Sequence, residues 1–112
     1  MSEARLKTHM QVGAAVRAGS VQGLTVTVAH KGEPDAGAIL LKLNQGAKGC
    51  SVLSQMRQTS GELVWMRATG SAPVPEPECD AYIEKSLRRD PDLWVVEIED
   101  REGRHLFDGR IV

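Results

Sequence analysis

The chain has 112 residues, of which 41% are hydrophobic and 26% are charged, and its formal net charge is −1. This length is typical of one domain, so we expect residues 1–112 to form a single domain with an aliphatic core that needs no metal or disulfide to hold it. The near-neutral charge excludes the strongly basic balance of a dedicated nucleic-acid binder, although residues 1–31 carry net +3 and residues 72–112 carry net −5.

The cysteine usage and hydropathy of the chain indicate its compartment. Cys50 and Cys79 are far apart in sequence, and Met1–Lys7 is not followed by the apolar run of a signal peptide. No segment approaches the ~18 apolar residues of a membrane span. We therefore expect a cytoplasmic protein with reduced cysteines and no membrane partner.

The amino-terminal segment is predicted to form a helix. Residues 1–5 are polar, and we expect them to be flexible. Apolar residues then recur at helical spacing over Leu6–Ala18, with Thr8 as a candidate cap and with a short strand at Leu6–Thr8 as an alternative start. Glycines predicted to end this helix are Gly19 and Gly23.

The middle of the chain predicts four strands joined by short turns, which is typical of an antiparallel meander. In the first strand, Leu24, Val26 and Val28 are predicted to face the core. The second strand is apolar on both faces, as central strands are. The third strand, Cys50–Gln58, is more polar, so we interpret it as an exposed sheet edge through which a homodimer could form. The four strands are Leu24–Ala29, Ala38–Leu43, Cys50–Gln58 and Leu63–Ala68.

A second helix is predicted over Glu76–Arg89. Pro77 suits the first helical turn, acidic side chains lie near its start, and Arg88 and Arg89 lie near its end, where the helix dipole favours them. Residues at helical spacing give this helix one apolar face, made of Cys79, Tyr82, Ile83, Ser86 and Leu87.

The strongest strand pattern lies within Asp90–Phe107. Trp94, Val96 and Ile98 share one face, and we expect them to be buried beneath the second helix. After a turn, Gly103–Phe107 could return as a sixth strand.

These elements predict an α+β fold. We expect a mostly antiparallel sheet of five or six strands with two helices on one face. The expected order of elements is α-β-β-β-β-α-β, with a further strand as an option.

The histidines and cysteines do not form a reactive pattern. His9, His30 and His105 lie in different elements without HxH or HxxxH spacing, so surface histidines are favoured over a metal site. Cys79 lies in the first turn of its helix, but acidic neighbours oppose its thiolate, and its apolar face indicates a core residue; Cys50 is a weaker candidate. We predict no catalytic residue, no metal and no cofactor.

Charged residues are clustered near both ends of the chain. Acidic side chains at the last strand and turn could perform acid–base chemistry or bind a divalent cation, but pairing with nearby arginines is the simpler interpretation. Basic residues near the amino terminus could contact nucleic acid, but they lack interleaved aromatic residues, so nucleic-acid binding is disfavoured. The acidic set is Glu97, Glu99, Asp100 and Glu102; the basic set is Arg5, Lys7, Arg17 and Lys31.

Three stretches, Arg5–Thr8, Gly32–Asn44 and Pro73–His105, resemble a small alphaproteobacterial domain-of-unknown-function family. The most specific part is DPDLWVVEIED, Asp90–Asp100, whereas Lys48–Gly61 matches least. The resemblance implies a bacterial, cytoplasmic, single-domain protein. It supplies no catalytic residue, cofactor or partner.

The favoured functional hypothesis is a small non-catalytic interaction or regulatory module with a protein partner. The alternatives are a small-ligand binder or enzyme with a cleft between sheet and helices, using Cys79, Tyr82 or the acidic turn, and a weak nucleic-acid binder. Because turns carry function more often than core strands do, we predict a contact surface at the turns and at the end of the second helix. Its predicted residues are Glu33, Asp35, Arg88, Arg89, Asp100, Arg101 and Arg104.

Overall fold

A computed structural model describes residues 6–112 of the chain. The predicted flexibility of residues 1–5 lies outside the described residues. The order α-β-β-β-β-α-β is confirmed. The elements are α1 (Thr8–Gln22), β1 (Thr25–His30), β2 (Ile39–Asn44), a one-turn 3₁₀ helix (Gly46–Lys48), β3 (Cys50–Arg57), β4 (Leu63–Arg67), α2 (Glu76–Arg89) and β5 (Trp94–Glu99).

The five strands form one mixed sheet in the order β1-β5-β2-β3-β4. β5 pairs parallel with β2, whereas the β1–β5, β2–β3 and β3–β4 pairs are antiparallel. The α+β class and the mostly antiparallel pairing are therefore confirmed. The four-strand meander was wrong at its first step, because β5 lies between β1 and β2. A strand as apolar as β5 is best buried in the interior of a sheet, with a neighbour on each side.

The prediction that Cys50–Gln58 is a sheet edge was wrong. β3 lies between β2 and β4, and its first four residues are buried. The prediction took the serines of β3 as a sign of exposure to solvent. Ser51 is nevertheless only 3% exposed. The edges of the sheet are β1 and β4.

The outer edge of β4 is covered by the end of the chain. The Trp65 N–H donates to the Arg110 carbonyl at 2.9 Å, and the Val112 N–H donates to the Trp65 carbonyl at 2.9 Å. This contact replaces the optional sixth strand at Gly103–Phe107, which does not form. Gly103 and Leu106 both have positive φ angles, 70° and 63°, which an extended strand cannot accommodate.

The two helices cover opposite faces of the sheet, so the expectation that both lie on one face was wrong. Val12 of α1 belongs to one core cluster with Trp94, Val96 and Ile98. Cys79 of α2 belongs to a second cluster, on the other face, with Leu40, Cys50, Val52, Leu93 and Val95. Since β2 and β5 are apolar on both faces, each face requires its own covering layer.

The interior position of Trp94 is confirmed, since this residue is 3% exposed and its indole N–H donates to the Glu33 carbonyl at 2.7 Å. The covering element was predicted wrongly, because Trp94, Val96 and Ile98 pack on the α1 side rather than beneath α2.

The buried face of β1 was predicted only in part. Val26 packs against the core, but Val28 is 39% exposed because β1 is an edge strand.

The predicted bounds of α2 agree with the structure, since α2 begins at Glu76 with Pro77 in its first turn and ends at Arg89. The prediction that Gly19 helps to end α1 was wrong, because the helix continues through Gly19 to Gln22. Gly23 then follows as the predicted glycine at the end of the helix, in a left-handed conformation with φ 74°. Thr8 is not the cap of α1. Its hydroxyl donates instead to the Gly37 carbonyl at 2.8 Å and ties the helix to the loop before β2.

Candidate functional site

A shallow cleft of about 230 Å³ lies between the carboxyl end of α2 and the sheet. Leu40 of β2 and Ser54 of β3 contribute from the sheet, and Tyr82, Ser86 and Arg89 contribute from the helix. Leu40 and Ser54 are directly opposite each other in the β2–β3 pair. The helical side chains reach the same place because positions 82, 86 and 89 follow one face of a helix.

Two exposed methionines extend this cleft across the sheet. Met66 of β4 is directly opposite Ser54, and Met56 lies two residues after Ser54, so all three side chains share the face that α2 covers. Met56 is 40% exposed and Met66 is 42% exposed. We call the region formed by Ser54, Met56, Met66, Tyr82 and Arg89 the cleft surface.

The polar side chains that line the cleft are engaged to different extents by other groups of the chain. The Ser86 hydroxyl donates to the Tyr82 carbonyl at 2.8 Å, so its proton is used within the helix. Arg89 is exposed and forms no ion pair with any side chain in the described part of the chain. A guanidinium, a phenol and two thioethers are groups that can contact a partner protein.

The most unusual buried group is the Lys42 ammonium, on the α2 face of the central strand β2. Its side chain is only 8% exposed, and its Nζ lies 2.6 Å from Glu76 Oε2, 2.8 Å from Asp80 Oδ1 and 4.0 Å from Glu97 Oε1. Burial opposes the charge, but the hydrogen bonds to Asp80 and Glu76 outweigh it and raise the pKa of Lys42. An amine held protonated in this way cannot act as a nucleophile or a base at neutral pH.

Both cysteines lie on the same face and are buried as free thiols. Burial and the neighbouring Glu76 charge raise the pKa of Cys50 to about 11, and burial also raises the pKa of Cys79. Since the thiolate is the reactive form, these positions disfavour the alternative in which Cys79 is a nucleophile. The prediction that Cys79 is a core residue is confirmed, because it is fully buried.

The histidines do not come together. His30 Nδ1 contacts the Leu93 carbonyl at 2.7 Å, whereas His105 packs on Trp65 with ring centroids 5.8 Å apart. Burial lowers the pKa of His105. Over residues 6–112, no three His, Cys, Asp or Glu side chains are grouped so that they could hold a metal ion.

The seven predicted contact residues lie at opposite ends of β5. Glu33 and Asp35 belong to a loop that packs against the start of β5, where the Glu33 N–H donates to the Asp92 carbonyl at 2.9 Å. The cleft is lined by Asp90 and Leu93, so this loop and the end of α2 are neighbours. Glu33 accepts hydrogen bonds from Asp35 and Ala36 of its own loop, and Arg88 pairs with Glu84 at 3.0 Å.

The other three residues follow the end of β5. Asp100 is 7% exposed, and its carboxylate accepts hydrogen bonds from the Arg104 guanidinium at 2.7 Å and from the N–H groups of Glu102 and Arg104. These contacts lower the pKa of Asp100 to about 2. The predicted pairing of acidic and arginine side chains is therefore confirmed for Asp100 and Arg104, and it builds the turn itself. Arg101 is exposed.

The basic residues of the nucleic-acid alternative have different surroundings. Arg5 lies outside the described residues. Lys7 lies 3.8 Å from Asp35 in an exposed ion pair, whereas Arg17 and Lys31 are exposed. In residues 6–112, neither helix has the length and hydropathy that a bilayer crossing requires.

Sequence reasoning missed Lys42 and the two methionines of the cleft surface. Lys42 had a visible signal, because it is a charged residue inside the otherwise apolar run Ile39–Leu43. Met56 and Met66 gave no such signal. Their proximity depends on the β3–β4 register, which is a property of the strand pair and is not visible in the residue pattern of either strand alone.

Comparisons with known proteins agree on one family. The profile of DUF1491, described as a protein of unknown function, matches residues 6–108. A crystal structure of a DUF1491 family protein from Caulobacter crescentus CB15 is 40% identical, with a TM-score of 0.87, and the match covers 96% of this chain and 100% of that chain.

Two solution structures are also similar. The NMR structure of a DUF1491 family protein from C. crescentus CB15 is 39% identical (TM-score 0.85; 98% of this chain, 99% of that one). A protein from A. tumefaciens is 30% identical (TM-score 0.77; 93% of each chain). No curated protein matches the chain. The predicted resemblance to an alphaproteobacterial family of unknown function is confirmed: the chain belongs to the DUF1491 family.

Proposed function

We propose that this chain is a non-catalytic interaction module of the bacterial cytoplasm, formed by residues 1–112 as one domain. The observation that carries the proposal is the cleft surface, where a small cleft beside Arg89 continues into two exposed methionines. The partner is a protein segment that inserts an apolar side chain into the cleft and presents a carboxylate to Arg89.

The composition of the cleft surface supports a protein partner. Tyr, Met and Arg are enriched at protein–protein interfaces, and methionine adapts its unbranched side chain to the shape of a partner. Glu33, Asp35 and Arg88 lie toward the same end of β5 and form the polar rim in this proposal. Asp100, Arg101 and Arg104 lie at the other end of β5, and we propose them only as a separate contact region.

The protonation states of the buried groups support a non-catalytic role. The Lys42 ammonium is held by carboxylates, and the pKa values of both thiols are raised. Enzymes usually tune such groups in the opposite direction, toward a neutral amine or an ionised thiol at neutral pH.

The cleft-surface proposal is tested by photo-crosslinking in a native lysate of an alphaproteobacterium. A photoreactive amino acid at Met66 is expected to capture a protein that the same group at Val21, which is 88% exposed on α1, does not capture. Arg89→Glu and Tyr82→Ala are each expected to lower the affinity for the purified partner at least tenfold. Equal capture at both positions, or no effect of either variant on affinity, would overturn the proposal.

A second copy of the chain is proposed as a further partner, through β1. Within the part of the chain that the structure describes, this edge strand is paired only with β5, and Thr25–His30 contains no Asp, Glu, Lys, Arg or Pro. Charged residues and proline protect the edges of sheets from pairing with another chain. The other edge, β4, is instead covered by the end of the chain. In an antiparallel pair centred on Thr27, Val26 meets Val28 on one face and Thr27 meets its own copy on the other.

The second-copy proposal is tested by light scattering on charge variants at Thr27. Thr27→Lys and Thr27→Glu are each expected to be monomeric, because like charges would face each other across the pair. Mixing the two variants is expected to restore a dimer. A monomeric wild-type chain at millimolar concentration would contradict the proposal, as would a dimer that survives Thr27→Lys.

A further inference from the structure

The face of the sheet that carries α1 is covered unevenly. α1 packs on β1 and on the core side chains of β5 and β2, and the segment after β5 returns to contact β4. Between these two covers lies a groove of about 530 Å³. Its floor is formed by Gln55 of β3 and Leu63 of β4, which follow the same face as Trp65.

Small side chains on α1 create the space in this groove. Ala14, Ala15 and Ala18 line one wall over two helical turns, with Gln11 one turn before them. A wall of larger aliphatic residues at these positions would close the groove. The volume lies within the ~300–1,000 Å³ range of small-molecule sites.

The opposite wall is held in place before any ligand binds. Phe107 packs edge-on against Trp65 with ring centroids 5.6 Å apart, and the Trp65 indole N–H donates to the Asp108 carbonyl at 2.9 Å. Leu106, which also lines the groove, has φ 63°, an uncommon conformation for a residue other than glycine. Strained backbone of this kind persists only where surrounding contacts determine it, and it occurs preferentially at binding sites.

The chemistry of the lining selects the ligand. Among residues 6–112, no Lys or Arg side chain lines the groove, so none of the described side chains there neutralises a carboxylate or a phosphate. Gln55 offers an amide at the floor, and the amide oxygen of Gln11 can accept a hydrogen bond while its nitrogen donates to the Leu6 carbonyl at 2.9 Å. Of the charged residues that the structure describes, Asp108 lines the groove, and its carboxylate repels anions.

We propose that this groove binds an uncharged small molecule with an elongated apolar body and one hydrogen-bonding head, such as a primary amide or an alcohol. The apolar body lies along the alanines of α1 and the side chains of Leu63, Leu106 and Phe107. The head lies at Gln55. The site is on the opposite face of the sheet from the cleft surface, so it is independent of the proposed protein contact.

The test compares decanamide with decanoate by amide chemical-shift titration of the full chain. Decanamide is expected to shift the amide signals of Gln55, Leu63 and Leu106 and to bind at least tenfold more tightly than decanoate, because Asp108 repels the carboxylate head. Ala18→Leu is expected to weaken the binding of decanamide at least tenfold. The matched substitution Ala81→Leu, at an exposed position of α2, is expected to leave binding unchanged.

Three results would overturn the proposal. The first is no shift at the groove residues with millimolar decanamide. The second is equal or tighter binding of decanoate. The third is unchanged binding by Ala18→Leu when the folded spectrum of that variant is retained; if Ala18→Leu unfolds the chain, Ala14→Leu, on the exposed side of the same wall, replaces it.

Discussion

The ammonium of Lys42 and the carboxylate of Asp80 are 2.8 Å apart and join the central strand of the sheet to α2. Glu76, one turn earlier in α2, contacts the same ammonium at 2.6 Å. The two carboxylates are about half exposed, whereas the lysine is almost fully buried. The lysine is therefore the member of this cluster whose environment changes most on folding.

Removal of the Lys42 charge is expected to cost little stability if its volume is kept. Lys42→Met fills the same space, and the freed carboxylates can be hydrated, so we expect the free energy of unfolding to change by less than ~1.5 kcal/mol. Lys42→Ala leaves a cavity and is expected to cost ~2–4 kcal/mol. Urea unfolding monitored by tryptophan fluorescence measures both variants. Glu84→Gln, which removes an exposed pair with Arg88, is the control and should cost less than ~0.5 kcal/mol. A Lys42→Met variant as unstable as Lys42→Ala would contradict this expectation, because it would show that the loss of the charge, and not the loss of volume, determines the change in the free energy of unfolding.

The Asp100 carboxylate is expected to make stability fall at acid pH. Its pKa in the folded chain is about 2, below the ordinary value of 3.8, because Arg104 and two backbone N–H groups hold the ionised form. A lowered folded pKa stabilises the fold above the unfolded pKa, and the contribution is lost as the pH falls from about 4 to 2. We expect Asp100→Asn to lower the free energy of unfolding by ~1–2 kcal/mol at pH 7 and by much less at pH 2. A constant difference between the two proteins across this pH range would contradict the assignment.

The two native thiols are expected to react slowly in the folded protein. Cys50 and Cys79 are 1% and 0% exposed, and burial raises the pKa of each. At neutral pH we expect labelling by a thiol reagent at least ~100-fold more slowly than in denaturant, because modification requires opening of the structure. A cysteine introduced by Val21→Cys, on the exposed side of α1, is the positive control and should react at the denatured rate. Rapid labelling of Cys79 in the native chain would contradict this expectation and would support the alternative in which Cys79 is a nucleophile.

The two glycines inside α1 are expected to respond oppositely to alanine. At Gly13, an added Cβ would meet only the flexible Arg17 guanidinium at 3.4 Å, so Gly13→Ala should stabilise the chain by ~0.5–1 kcal/mol. At Gly19, an added Cβ would overlap Val26 Cγ2 on β1, so Gly19→Ala should destabilise it by ~1–3 kcal/mol. Thermal unfolding by circular dichroism measures both. Stabilisation by Gly19→Ala would show that α1 does not lie directly on β1.

Local patterns predicted the elements well because each pattern reports on a few neighbouring residues. The proline and charges of α2 specify both of its ends, and the alternation in β5 identifies its buried side chains. The partners of those faces were not predictable in the same way. Both β2 and β5 are apolar on both sides, and nothing in that pattern distinguishes which helix covers which face.

The candidate sites were less predictable than the fold. Arg89 was identified from its position at the end of a helix, but Met66 joins it only through the register of β3 and β4. The groove beside α1 depends on three alanines and on the path of residues 104–112, which have no regular pattern. Such sites arise from tertiary contacts that local periodicity does not encode.

The position of β5 in the sheet also determines when the protein can fold during synthesis. Among the strands of residues 6–112, β1 is hydrogen-bonded only to β5, although about seventy residues separate the two strands along the chain. A nascent chain that has emerged only as far as α2 can join β2, β3 and β4 but leaves β1 unpaired, with α1 lacking most of the surface on which it packs. The final fifth of the polypeptide must therefore leave the ribosome before its first quarter can be incorporated.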